Sequence, residues 1–175
     1  MWPFDKKPKR GLQDRIKTAH ELITGLADRV TPDLMKGVMG EDWQVRFPSY
    51  YVFVHLEVIV FQLHLTDRIV NGRMREHREE FMDALLPLTF VNLPEDTASR
   101  LQQVYNERQI LYGSCKKIFA DKDEALGGTL IWEFGKIIVE KYTGSLDASL
   151  MLVPYSLGTH MLQTLNDGYK ALDVC

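Results

Sequence analysis

The segment Tyr50–Leu65, YYVFVHLEVIVFQLHL, limits the possible folds of this chain more than any other part of the sequence. Twelve of its sixteen residues are apolar or aromatic, and the other four are His55, Glu57, Gln62 and His64. Ionisable groups in so apolar a segment need partners or shifted pKa values, because burying them without compensation costs several kcal/mol. We therefore expect the chemistry of this protein to lie along this segment.

Helical geometry accounts for the four polar positions better than strand geometry does. A strand would place two polar residues on each face, which leaves no wholly apolar face to bury. With about 100° per residue, a helix gathers Glu57, His64 and Arg68 into one stripe. The other polar positions form a second stripe roughly opposite, and apolar flanks separate the two. This pattern predicts a central helix, packed on both sides, near residues 49–71.

Apolar spacing predicts another helix before the central one. Apolar residues recur at threes and fours over residues 11–30. This helix should end at Thr31-Pro32, because the residue before a proline is disfavoured in the helical conformation. From Thr31 to Pro48 the chain contains two glycines and two prolines without clear periodicity, so we expect a loop with one helical turn.

The same spacing predicts four helices after the central one. The expected elements are, in order, a short helix ending near Pro87, a loop from Leu88 to Pro94, a helix over 95–119, a helix from the N-cap Thr129 to the break at Thr143, and a last helix over 146–172 that is bent or interrupted at Pro154.

The fold class that follows is all-α. The sequence predicts a single-domain bundle of about six helices over residues 11–175, with the buried central helix near 49–71. Residues 1–10 are expected to form a flexible or docked segment. Their two prolines prevent a continuous amphipathic helix, so we do not expect membrane contact there. No apolar run reaches the ~20 residues of a membrane-spanning helix.

Composition excludes several functional classes. The chain has 21 basic and 24 acidic residues, a formal net charge of −3, so no nucleic-acid partner is expected. Two cysteines, Cys115 and Cys175, are too few for a disulfide framework, and no secretory signal is recognisable. These features indicate a cytoplasmic protein.

Familiar catalytic and nucleotide-binding motifs are absent from the sequence. Neither G-x-S-x-G nor G-x-G-x-x-G occurs. The acidic run that begins at Asp121 fails as a calcium loop, because Leu126 and Trp132 stand where the loop needs glycine and a bidentate glutamate. Catalytic residues are therefore unknown, and the sequence leaves open whether the protein is an enzyme.

The five histidines argue against a metal site. No two of them are three or four residues apart, which is the spacing that lets one helix face bind an ion. We expect no metal and no cofactor. The less favoured alternative is a metal bound by Glu57 and His64, which are seven residues apart.

The leading functional hypothesis is a non-catalytic helical module that binds a protein partner or itself. Strong helical patterning without catalytic signatures favours it. The predicted loops would expose apolar anchors for the partner at Trp43, Phe47 and Phe90.

The alternative hypothesis is a small-molecule- or metal-binding bundle, which includes the case of an enzyme. A carboxylate beside an imidazole in an apolar pocket can anchor a ligand. The candidate ligand-binding residues are His55, Glu57, Phe61, His64 and Arg68. Without a ligand, Glu57, His64 and Arg68 would satisfy one another or bond to a loop.

Overall fold

The computed structural model describes residues 11–91, 93–121 and 124–172. The predicted segment 1–10 lies outside these ranges. Within them the chain forms seven α-helices and no strand, which confirms the all-α helical bundle. The helices are α1 (Leu12–Met39), α2 (Trp43–Arg46), α3 (Tyr50–Arg73), α4 (Arg78–Val91), α5 (Glu95–Ser114), α6 (Leu130–Thr143) and α7 (Ala148–Ala171), with a 3₁₀ turn (Arg75–His77) between α3 and α4.

The predicted central helix is α3. It packs against α1, α4, α5, α6 and α7. Nearly every residue from Val54 to Val70 is buried, the polar Glu57 and Gln62 included. A helix surrounded in this way is apolar on all sides, which explains why its sequence shows no single hydrophobic face.

Prolines do not end the helices as the sequence predicted. The α1 helix continues through Pro32 to Met39, so the expected loop from Thr31 shrinks to the residues around α2. A proline in a helix interior costs about 3 kcal/mol. Beyond it, however, α1 buries Leu34, Met35 and Val38, and each such side chain contributes roughly 1.5–3 kcal/mol. Burial therefore outweighs the local preference.

The same correction applies to α4 and α7. The α4 helix runs through Pro87 to Val91, which removes most of the predicted loop from Leu88 to Pro94. Past the proline, Thr89 is buried and its hydroxyl donates to the Leu85 carbonyl oxygen. In α7, Pro154 is itself buried and the helix is not interrupted there.

The α5 helix ends at Ser114, five residues before its predicted end. Cys115 leaves the helical conformation, and the Arg68 guanidinium donates hydrogen bonds to the carbonyl oxygens of Tyr112 and Cys115. Such a donor satisfies carbonyl groups that a helix end leaves without partners. The next residues pair with the start of α6, where the Leu130 amide donates to the Lys117 carbonyl oxygen.

The structure confirms one predicted helix start and shows a helix crossing at Gly37, a residue that the sequence placed in a loop. The predicted N-cap of α6 is confirmed, because the Thr129 hydroxyl accepts a hydrogen bond from the Trp132 amide. Gly37 lets α1 approach α7 closely, since a Cβ atom there would lie 2.5 Å from a methyl carbon of Val153.

None of the helices in the described ranges combines the length and apolar content needed to cross a bilayer.

Removal of the Phe134 ring should destabilise the bundle strongly. Its ring stacks on that of Phe61 with centroids 4.1 Å apart, and both side chains are fully buried. We expect Phe134→Ala to lower the free energy of unfolding by about 3–5 kcal/mol, measured by urea denaturation. The matched control Phe119→Ala removes a ring that is 50% exposed and should change it by less than about 0.5 kcal/mol. Equal losses in both variants would contradict the assigned core.

Candidate functional site

Glu57 is the most deeply buried charged residue of α3, and its partner comes from α5. Its side chain is 0% exposed. The Arg108 guanidinium donates to both carboxylate oxygens, at 2.6 Å from Nη2 to Oε1 and 3.0 Å from Nε to Oε2. Lys141 Nζ lies 4.0 Å from Oε1. Paired geometry of this kind offsets the desolvation of a buried carboxylate.

Two tyrosine hydroxyls lie near this ion pair. Those of Tyr112 and Tyr142 are buried and have no hydrogen-bond partner among the described residues. Burial raises the pKa of both phenols, and the negative charge of Glu57 raises it further. Both groups therefore stay protonated and neutral at physiological pH.

His64 does not bond to Glu57 or Arg68. Its ring stacks on Tyr105 with centroids 5.1 Å apart, and it meets the edge of Tyr112 at 5.0 Å. Burial lowers the pKa of His64 to about 4, so the imidazole is neutral at pH 7. Its Nε2 atom is buried and finds no hydrogen-bond partner within the described part of the chain.

A cleft of about 300 Å³ opens beside His64, between α3, α4 and α5. We call it the His64 cleft. Asp67 and Arg78 form part of its wall and are joined by two hydrogen bonds, at 2.7 and 2.8 Å. The remaining wall carries the ring of Tyr105, two apolar side chains of α4 and two further acidic groups. A neutral imidazole, an ion pair and apolar walls together form a surface suited to a small ligand.

The other predicted ligand-binding residues lie elsewhere. Arg68 holds the end of α5, and Phe61 stacks within the core. His55 faces α1, where its Nδ1 lies 3.1 Å from the Thr31 hydroxyl and its Nε2 lies 3.8 Å from Asp28. Of the predicted set, only His64 lines the cleft.

The predicted partner anchors are less exposed than expected. Trp43 is 9% exposed and stacks on Tyr51, so the expectation of an exposed loop residue is wrong. Phe47 and Phe90 are half-buried. Other apolar side chains are exposed, Val45 and Val91 of the two predicted loops among them. At the start of α3, Val52 is 43% and Phe53 is 36% exposed. The sequence does not distinguish these two residues from the core residues that follow.

Metal-ligating side chains do not converge in the described ranges. No group of three or more His, Cys, Asp or Glu residues there could hold an ion. His20 is half-buried on α1, and His160 is exposed on α7.

Removal of the His64 imidazole should make folding less sensitive to acid. The pKa of His64 is about 4 in the folded protein, against an ordinary value of 6.5. The unfolded chain therefore takes up the proton first, and stability is lost as the pH falls from 6.5 to about 4, by roughly 3 kcal/mol. We expect urea denaturation of His64→Phe to show a smaller loss over this range. The control His160→Phe should lose as much stability over this range as the unsubstituted protein. If His64→Phe also loses as much, the His64 imidazole is not buried as described.

Removal of Arg108 alone should destabilise the protein more than removal of the whole ion pair. Arg108→Met leaves the Glu57 carboxylate buried without its bidentate partner, at an expected loss of about 3–5 kcal/mol in unfolding free energy. The double variant Glu57→Leu, Arg108→Met should recover most of this loss. Additive losses in the double-mutant cycle would show that the two side chains do not interact.

Comparison of the chain with protein-family models, with curated proteins and with solved structures finds no match. Function is therefore inferred from the side chains and clefts of the described residues.

Proposed function

We propose that this protein binds a small organic cation in the His64 cleft. The observation that carries the proposal is a buried, neutral imidazole whose Nε2 atom has no partner among the described residues, in the wall of a cleft. Buried polar atoms nearly always have a hydrogen-bond partner, and an exception calls for an explanation. A ligand in the cleft would supply that partner, and its N–H group would donate to the ring in the tautomer that leaves Nε2 unprotonated.

The charges around the cleft favour a cationic ligand. Asp67 and Arg78 neutralise each other in their bidentate pair. Glu79 and Asp83 also line the cleft and leave it with an excess of negative charge. An ammonium group would be attracted to these carboxylates while its N–H groups donate hydrogen bonds.

The apolar walls favour a ligand with a compact hydrophobic body. Met82 and Leu86 line the cleft together with the half-buried Tyr105. A volume of about 300 Å³ lies at the small end of ligand pockets, roughly 300–1,000 Å³. A primary amine on a small apolar or aromatic group combines the two requirements.

Benzylamine and benzyl alcohol form a matched pair of probes for this proposal, since they share a shape and differ in charge. We expect benzylamine to shift the NMR signals of residues around the cleft saturably, and benzyl alcohol to bind at least about tenfold more weakly. The variant Asp83→Asn, at an exposed position, should weaken benzylamine binding without loss of fold.

The histidine itself is tested with His64→Phe, and the exposed His160→Phe is the control. Binding should be lost in the first variant and kept in the second. Equal binding of the amine and the alcohol, or full binding by His64→Phe, would contradict the proposal.

A second candidate function retains the interaction module, now on a different surface. Phe47, Tyr50 and Phe53, with Arg46, Arg100 and Lys141 around them, form what we call the aromatic–cationic patch. Arg46 lies 5.1 Å from the Phe47 ring centre, and Arg100 and Lys141 lie 6.0 and 4.9 Å from that of Phe53. Cations over partly exposed rings fit an acidic, amphipathic segment of a protein partner.

This second candidate is tested with a synthetic amphipathic peptide rich in glutamate and leucine. Phe53→Ala should weaken binding of the peptide in fluorescence anisotropy, whereas the exposed Phe119→Ala should not. Added salt should weaken binding as well, because exposed charges are screened. If neither Phe53→Ala nor added salt weakens binding of the peptide, this surface is not the binding site.

A cytoplasmic location is proposed from the use of cysteine. Cys115 is free and buried, and a protein with so few cysteines is suited to a reducing compartment.

A further inference from the structure

We infer that a second cleft, where the start of α1 meets the junction of α3 and α4, binds a phosphate group. The cleft has a volume of about 530 Å³, and we call it the arginine cleft. Arg15, Arg73, Arg75 and His77 line it, and Glu76 is the one acidic side chain among its lining residues. Three guanidinium groups on one concave surface are the usual means by which proteins recognise phosphate.

The fold brings these basic residues together from three elements. Arg15 lies in the first turns of α1, and Arg73 is the last residue of α3. The chain then leaves the helix at Met74 and continues as the 3₁₀ turn that carries Arg75 and His77. Residues far apart in the sequence therefore present their charges to the same space.

Arg15 carries a hydrogen-bond donor that has no acceptor. Its Nε atom is buried and has no hydrogen-bond partner among the described residues. A guanidinium carries five N–H donors, and a buried donor without an acceptor is costly. An anion with several oxygen atoms would supply the acceptor.

The neighbours of Arg15 are held in different ways. Arg73 donates to the Asn166 side-chain oxygen at 2.6 Å, which fixes its guanidinium at the edge of the cleft. Arg75 is exposed and forms no side-chain hydrogen bond or ion pair to the described part of the chain. His77 lies 3.5 Å from Glu80, so part of its charge is balanced.

The donors of the lining favour phosphate over a single carboxylate. Three arginines and one acidic residue, Glu76, line the cleft, and a phosphate group offers three strong acceptor oxygens and a charge near −1.5 to −2. The arginine cleft shares no lining residue with the His64 cleft, so the two proposals stand or fall separately.

Titration of the full chain with inorganic phosphate tests this site. We expect saturable shifts of the Nε–H NMR signals of Arg15 and Arg75. Arg75→Gln, at an exposed position, should weaken binding at least about tenfold, because hydrogen bonds to charged groups are among the strongest in proteins. Arg15→Gln should have an equal or larger effect.

Arg29→Gln is the matched control. Arg29 is exposed, lies on the same helix about 20 Å from Arg15, and donates to the Gly25 carbonyl oxygen. Its removal takes away the same charge and should leave the phosphate affinity unchanged. An equal loss in Arg29→Gln and Arg75→Gln would overturn the proposal, because binding would then depend on net charge alone.

A second set of measurements distinguishes a free phosphate from a lipid headgroup. Vesicles of phosphatidylcholine, with and without phosphatidic acid, are added in place of inorganic phosphate. If the protein binds inorganic phosphate but not the vesicles, and Arg75→Gln weakens this binding, the ligand is a soluble phosphate. If the protein binds only vesicles that contain phosphatidic acid, and Arg75→Gln weakens this binding, the ligand is a lipid phosphate. Absence of binding in both measurements would overturn the proposal.

Discussion

The buried Glu57 carboxylate is the strongest single constraint on the structure, because it requires the Arg108 guanidinium as its partner. The carboxylate lies at the centre of the bundle, on a helix that is packed on all sides, and it is fully removed from solvent. Without its partner the carboxylate would cost about 3–5 kcal/mol, a large share of the net stability of about 5–15 kcal/mol that a folded domain has. The guanidinium of α5 compensates the charge and thereby fixes α5 against α3. The His64 cleft lies farther along the same pair of helices, and α4 completes its wall.

The sequence predicted the central helix because its polar residues formed two stripes at helical spacing. It predicted the start of α6 because two glycines precede Thr129, a good capping residue. The partner of Glu57 could not be predicted, since Arg108 is 51 positions away and lies on a helix of unknown rotation. The helical stripe therefore indicated where polar groups lie, while the packing of α5 determined what they contact.

Errors in the prediction arose where tertiary burial outweighs local preference. Pro32 lies inside a helix because Leu34, Met35 and Val38 after it are buried. After Pro87, Thr89 is buried and its hydroxyl bonds to the preceding turn. Trp43 belongs to a single helical turn without periodicity, and its burial depends on stacking against Tyr51. The His64 cleft was predictable only in part, because its acidic wall comes from α4, whose rotation the sequence does not give.

The central claim is that α3 is buried and closely packed from Val54 to Val70. Native-state hydrogen exchange of its backbone amides tests this claim most directly. If the claim holds, the amides from Val54 to Val70 exchange only through global unfolding, with the same free energy as measured by denaturant. Exchange of these amides through smaller openings, while α1 and α6 remain protected, would contradict it.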